Sequence, residues 1–309
     1  MKKISLFASS IQLSTLVLLL SFMSCQSKKF KESKTFAGGK VVSASTLNKG
    51  HDTYLEYCVQ CHGYEGKGDG PSSKGMYPPP RNLTQGVYKF ANVVGGELPH
   101  DEDFKRIINH GLNGSAMLPW DLHGERLDAV IQYIKTFAPE TWEDPELELG
   151  TKFEVPKDPF GDTYRIVAIE KGKKVYHVTA ACIQCHRGYE SKENMSKYNE
   201  ELFGSPLTES DFASDLYTVK PQESEYNYKV IPPDFTFHPL RTIRNTKTIV
   251  ERLMYGVNGS GMPGWKDVVT DDELWALAYY VESLQKLKDD VSARSAFLKK
   301  AEGQKSSDK

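Results

Sequence analysis

The reading turns on Cys58-Val-Gln-Cys61-His62 and its second copy, Cys182-Ile-Gln-Cys185-His186. Residues three and four apart share a helix face, so each pair of thiols is presented together with the imidazole that follows it. Upstream, each copy opens with a Gly-x-x-x-Tyr segment, Gly50 to Tyr54 in one and Gly172 to Tyr176 in the other. Downstream, each closes with apolar residues at helical spacing: Leu127, Val130, Ile131 and Ile134, then Leu274, Leu277, Ala278 and Val281. Thr270 to Glu273 reads as a capping box for the second of these helices. Between the ends, Gly111-Leu-Asn-Gly-Ser-Ala-Met117-Leu-Pro-Trp120 repeats as Gly256-Val-Asn-Gly-Ser-Gly-Met262-Pro-Gly-Trp265. This block is offset further than the cysteine motifs, so the second copy carries an insertion at about 187–230. That stretch is polar and rich in Glu, Ser, Tyr and Asn, which suits a surface excursion or a partner-facing loop.

Two thiols on one helix face can bond the two vinyl groups of a porphyrin while the adjacent imidazole reaches the iron, which is the attachment signature of a c-type haem. Cys58, Cys61 and His62 would hold one haem c and Cys182, Cys185 and His186 a second. A zinc ribbon also uses two Cys-x-x-Cys pairs, but usually much closer in sequence and with no His after each. A thioredoxin-like pair wants a βαβ context, whereas these motifs lie among helical segments. A second axial ligand completes the iron of an electron carrier, and Met117 and Met262 are the candidates because each sits in the same Asn-Gly-Ser-x-Met frame. Thioether ligation raises the reduction potential relative to a second imidazole. His51, His100, His110, His123, His177 and His238 are the rival axial ligands, and Trp120 and Trp265 are expected to pack near the methionine loops.

At the N-terminus, Lys2 and Lys3 precede an apolar run from Ile11 to Met23, the layout of an export signal. Phe22-Met23-Ser24-Cys25 at its end reads as a lipobox, with Cys25 as the lipid anchor. An ordinary signal peptide with a stray cysteine, or an uncleaved membrane helix, are the alternatives. The five cysteines of the 309-residue chain divide into this one and the two pairs, leaving none over for a disulfide framework. A net charge of -2, with no basic run interleaved with aromatics, excludes nucleic-acid binding.

On these residues both halves resemble class I cytochrome c domains, and the pair is similar to the tandem dihaem cytochromes of bacterial respiratory chains. The resemblance implies an all-α protein of two tandem class I cytochrome c domains, each wrapped around one covalent haem, with the first and last helices of each domain crossing. The expected layout is a signal segment at 1–25, a flexible tether at 26–48, one domain at 49–138, a linker at 139–168, a second domain at 169–287 and a charged, solvated tail at 288–309. A short strand at Thr163 to Ile169 would fit within the linker. Gly50 and Gly172 would permit the helix crossings near Tyr133 and Tyr280, unless they are loop glycines. In such families a proline-rich segment offers a carbonyl to the axial histidine, and Pro78-Pro79-Pro80 and Pro232-Pro233 match that place by order. Arg81, Arg241 and Arg244 are candidates for the haem propionates. The implied function is electron transfer on the periplasmic side of a bacterial membrane, between a redox protein donor and acceptor, with no small-molecule substrate. A fixed dihaem subunit of a respiratory oxidase or reductase complex is one alternative, and a dihaem peroxidase, which would need an open iron site, is another.

Overall fold

Polar N-terminal residues give way at Lys34 to a short antiparallel hairpin, the first element in a computed structural model that describes residues 28–144 and 146–303. Its strands β1 (Lys34–Phe36) and β2 (Lys40–Val42) pair in the register Lys34 to Val42, and Gly38 and Gly39 turn the chain with φ of 74° and 72°. Phe36, Ala37 and Val42 are buried in the core of the first half, and Lys34 pairs with Glu143 at 2.6 Å. The segment expected as a flexible tether is therefore packed structure from about Phe30 onward. Its Lys/Ser/Gly composition hides three apolar side chains that only a tertiary neighbour gives a role. The export signal and Cys25 lie outside the described residues, as do Pro145 and the last six residues.

Helix α1 (Ala44–Tyr57) starts at Ser43, whose hydroxyl accepts from the Thr46 N–H, and buries Leu47, Gly50, Thr53 and Tyr54 on one face. A single turn, α2 (Val59–His62), carries the first cysteine motif. Then follow α3 (Asp101–His110), with three acids in its first turn opposite the positive end of the helix dipole, and α4 (Gly124–Lys135). The crossing of α1 and α4 explains Gly50: a Cβ there would lie 2.1 Å from the Ala129 carbonyl oxygen and 2.8 Å from Tyr133 Cβ.

The connection expected as a linker holds α5 (Pro139–Trp142), whose Trp142 is fully buried in the first core, and then runs across both halves. His100 donates through Nε2 to the Gly150 carbonyl at 2.8 Å, Phe153 stacks on Tyr255, and the Trp275 indole donates to the Pro156 carbonyl. Where a short strand was expected at Thr163 to Ile169, the chain forms α6 (Arg165–Lys174). Ile166 and Val167 within it are exposed. The face that decides is Ala168 and Gly172, seated on the last helix of the half. The helix continues through a wider turn at Val175–Thr179 into the second cysteine motif.

The insertion folds as α7 (Lys192–Phe203), anchored by buried Met195, followed by an irregular return. After it come α8 (Thr246–Tyr255) and α9 (Asp271–Gln285), the latter opened by the expected capping box of Thr270 and Glu273. Gly172 repeats the role of Gly50, with its Cβ position 2.2 Å from the Ala276 oxygen. The tail, expected to be solvated, instead forms α10 (Val291–Ala301). Phe297 and Leu298 lie on the second core, Ala301 is buried, and Glu302 pairs with Arg187. No helix among the described residues is long and apolar enough to cross a membrane.

The two halves meet reciprocally. The Asn113 N–H donates to the Arg241 carbonyl at 3.0 Å, and the Asn258 N–H donates to the Lys89 carbonyl at 3.1 Å. Asn113 and Asn258 are the equivalent asparagines of the two methionine loops. Gly114 packs on Pro239 and Gly259 on Val87 in the same crossed fashion. A contact of i with j and j with i is the mark of a two-fold arrangement, here within one chain. Arg252 crosses the seam as well, donating to the carbonyls of Phe90 and Ala91 and to Asn92 Oδ1.

Candidate cofactor sites

In the first half, Cys58, Cys61, His62 and Met117 line one cleft, together with Pro78, Pro79, Pro80 and Arg81 and an apolar wall that includes Phe104, Ile108, Val130 and Ile134. The cleft holds about 1430 Å³ counted out to its open mouth, and His62 is the one histidine in its lining. A mostly apolar concavity with a few placed polar groups is the usual form of a cofactor site. The His62 Nδ1–H donates to the Arg81 carbonyl at 3.1 Å, which leaves Nε2 with its lone pair for a metal. Burial pushes the His62 pKa down from its ordinary value, against the upward pull of that carbonyl, so the ring is neutral as a metal ligand must be.

The second half repeats this chemistry. The His186 Nδ1–H donates to the Pro233 carbonyl at 3.3 Å, and burial takes the ring down to about 4. Phe235 stacks on the His186 ring at 4.8 Å, and Cys182, Met262 and Trp265 pack against the second core. The expected proline-segment acceptor is thus Pro233 itself in this half, and in the first half Arg81, the residue just beyond the three prolines.

Burial pushes the thiols of Cys58 and Cys182 up to about 12, with Cys61 adding to the shift of Cys58. That is opposite to the lowered pKa of a redox-active thiolate. The two cysteine pairs sit in different halves, and among the described residues no three His, Cys, Asp or Glu side chains gather to hold a bare metal ion. The zinc and thioredoxin-like readings therefore lose their support, while neutral, apolar-set cysteines suit thioether attachment to a porphyrin.

Both methionine loops are built alike. Ser115 Oγ donates to the Leu112 carbonyl and accepts from the Met117 N–H, and Ser260 does the same with Val257 and Met262. Gly111 and Gly256, at φ of 62° and 70°, let the loop fold back: a Cβ on either would come within 2.5 Å of the methionine carbonyl oxygen. The loop is then tied to the preceding helix by Trp120 N–H to Ile108 and Trp265 N–H to Leu253. Trp120 also sits edge-on to Tyr57 at the cleft mouth.

Five of the six rival histidines are otherwise engaged. His177 uses both ring nitrogens, donating from Nδ1 to the Lys173 carbonyl at 2.8 Å and accepting at Nε2 from the Tyr189 N–H at 3.0 Å. The His238 Nδ1 accepts from the Asp234 N–H, His51 and His123 sit beside Asp52 and Asp121, and His100 is tied to Gly150. His110 lies in a small crevice at the seam with Arg106, Arg241 and Arg244.

Of the three arginines expected near propionates, Arg81 and Arg241 line the first cleft and Arg244 does not. Arg241 comes from the second half of the chain, so the first cleft is completed across the seam. Lys89 and Tyr228 also line it, and neither stood out in the sequence. Burial, with Arg81 and Arg241 close by, takes the Lys89 ammonium down to about 8. Arg81 lies over the ring of Tyr226 at 3.5 Å, which places the insertion between the halves. The signal that could have found Lys89 is its register: it stands eight residues past Arg81, as Arg241 stands eight past Pro233.

Comparison with known proteins bears on both halves. The family model for cytochrome C oxidase, cbb3-type, subunit III matches residues 45–134 and again 167–281. Among solved structures, the chain is similar to a chain of the reducing HAO-like protein complex of Kuenenia stuttgartiensis, with 33% identity and a TM-score of 0.58. The match covers 76% of this chain and 95% of that one. A search of curated proteins gave no match.

Proposed function

The chain belongs to the family of cytochrome c oxidase, cbb3-type, subunit III, a tandem class I cytochrome c with covalently bound haem and a role in electron transfer, and from that premise we propose that it carries two haems c with His/Met ligation. Cys58 and Cys61 would hold the first by thioether bonds, with His62 and Met117 on the iron. Cys182, Cys185, His186 and Met262 would do the same for the second. The observation that carries this reading is the duplicated pairing of a neutral histidine, tied at Nδ1 to a backbone carbonyl, with an Asn-Gly-Ser-x-Met loop folded by its own serine.

The bound group supplies the redox chemistry, by gaining and losing one electron at iron. The chain's residues do the rest. The carbonyls of Arg81 and Pro233 fix the tautomer and direction of each imidazole. Phe104, Ile108, Val130 and Ile134 exclude water from the first cleft, and Arg81, Lys89 and Arg241 place positive charge on its wall. A filled axial position leaves no open site for a substrate, which disfavours a peroxidase.

The test is an optical redox titration of the haem-loaded protein, recorded with the near-infrared band of ferric methionine ligation. Two low-spin centres are expected, one abolished by Met117→Ala and the other by Met262→Ala. A high-spin or bis-histidine centre in the unaltered protein would overturn the assignment.

The setting proposed is the periplasmic face of a bacterial membrane, with Cys25 as lipid anchor. The export-signal layout of residues 1–25 supports it, and Cys25→Ser should release the protein from the membrane fraction. Redox proteins are the expected donor and acceptor. Similarity to one chain of a multi-subunit complex, nearly over that chain's whole length, favours a fixed subunit as a second reading. Co-purification of the native protein with stoichiometric partners would support it over a free shuttle.

A further inference from the structure

The two histidine-supporting segments superpose by role, Pro80-Arg81-Asn82-Leu83-Thr84 on Pro232-Pro233-Asp234-Phe235-Thr236. In each, the second residue's carbonyl accepts the axial imidazole N–H. In each, the third residue's side-chain oxygen accepts from the threonine two positions on. Asn82 Oδ1 receives the Thr84 N–H at 3.0 Å and its hydroxyl at 2.7 Å, and Asp234 Oδ1 receives the Thr236 N–H at 2.9 Å and its hydroxyl at 2.7 Å. One scaffold therefore carries a neutral amide in the first half and a carboxylate in the second. We infer that this difference makes the second haem the lower-potential centre, so that a molecule carrying one electron holds it on the first haem. The inference rests on the two-haem reading above and adds a direction to it.

Asp234 is 8% exposed, and its Oδ1 also accepts from the Tyr189 hydroxyl at 3.1 Å. Among the described residues no lysine, arginine or histidine forms an ion pair with it. Two cations beside the second attachment motif are paired elsewhere: Lys220, which reaches the Ile183 carbonyl, pairs with Asp215 at 3.1 Å, and Arg187 pairs with Glu302. A buried, uncompensated negative charge next to the carbonyl that receives the imidazole N–H strengthens that donation and makes the ligand more basic. Both the charge and the more basic ligand stabilise ferric over ferrous iron.

The first half is biased the other way. Arg81 stands where the second half has Pro233, and with Lys89 and Arg241 it gives the first cleft three cations, none of them in an ion pair among the described residues. Three outnumber the two propionates of one haem. Net positive charge favours the added electron, so the two differences have the same sign.

The experiment is a redox titration of the full-length haem-loaded protein at fixed pH and ionic strength, comparing it with Asp234→Asn and Asn82→Asp. Two one-electron steps are expected. Asp234→Asn should shift the lower step upward by about tenfold in its equilibrium constant, ~59 mV for one electron, and leave the upper step in place. Asn82→Asp should lower the upper step by a similar factor. The near-infrared methionine band should persist in both, which separates a charge effect from a lost ligand. Movement of the upper step by Asp234→Asn, or no movement of either, overturns the redox order while leaving two methionine-ligated haems in view. If Asp234→Asn does not load haem, Asn82→Asp in the other half decides. A single haem, or none with methionine ligation, sinks the two-haem reading instead.

Discussion

His177 is buried and His186 half-buried, and both donate from Nδ1 to a backbone carbonyl, yet they do different work because of what meets the other nitrogen. The Nε2 of His177 accepts the Tyr189 N–H, which makes the ring a structural tie between α6 and the chain beyond the cysteine motif. Burial lowers its pKa from 6.5 to about 4. The unfolded chain takes up this proton near 6.5 and the folded one only near 4, so the native state is fully favoured above pH 6.5 and loses ground as pH falls between the two values. The loss should approach the order of 3 kcal/mol at about pH 4. In the haem-loaded protein, unfolding midpoints taken from pH 7 to 4 should fall less steeply for His177→Gln; equal slopes would show that another group controls the acid side. In the sequence, His177 and the ligand histidines looked alike until the Cys-x-x-Cys motif set His62 and His186 apart.

At the scale of elements, the crossed pairs α1 with α4 and α6 with α9 are what the resemblance to class I cytochrome c domains implied. Gly50 and Gly172 are helix-crossing residues, since any side chain would strike the carbonyl oxygen of Ala129 or Ala276. The hairpin, the packed connection and α10 were not foretold, for a shared reason. Each places only a few apolar residues, at no regular period, on a surface the rest of the fold supplies. For α10 those residues are Phe297, Leu298 and Ala301, reinforced by the Asp290 cap on the Ala293 N–H and by Arg294 over the Phe237 ring. A chain ending at Asp290 should therefore lose about 2–3 kcal/mol in its second half, the scale of burying one or two apolar side chains. Denaturant unfolding would show this as a lowered midpoint for the second-half haem signal, with the first-half signal unmoved. Unchanged midpoints would mean that the helix rests on the surface without contributing.

For the molecule as a whole, the seam is what holds the two halves against each other. Its contacts are reciprocal, it passes a guanidinium from the second half into the first cleft, and it traps Tyr226 of the insertion between Arg81 and Asn258, whose carbonyl the tyrosine hydroxyl meets. Gly259 is one of its tight points: φ is 66°, and a Cβ would lie 2.5 Å from the Tyr226 hydroxyl and 2.9 Å from Val87 Cγ1. Gly259→Val should open the seam, seen as a larger radius of gyration by small-angle scattering, while each half keeps its haem spectrum. A closed molecule with a normal scattering profile would show that the halves are held elsewhere.

The sequence by itself determined that there are two copies of one helical module, where the two Cys-x-x-Cys-His motifs stand in it, and which glycines and methionine loops repeat. Those features are local: spacing along a helix and a strict frame around each methionine dictate them without reference to the rest of the chain. Only the tertiary structure decided that Arg241 faces the other half's cleft, that Asn82 and Asp234 occupy one role with different charge, and that the insertion belongs to the seam. Each depends on residues more than a hundred positions apart meeting in space or sharing a hydrogen-bond scaffold. The insertion had removed the constant offset by which the sequence alone could have aligned them.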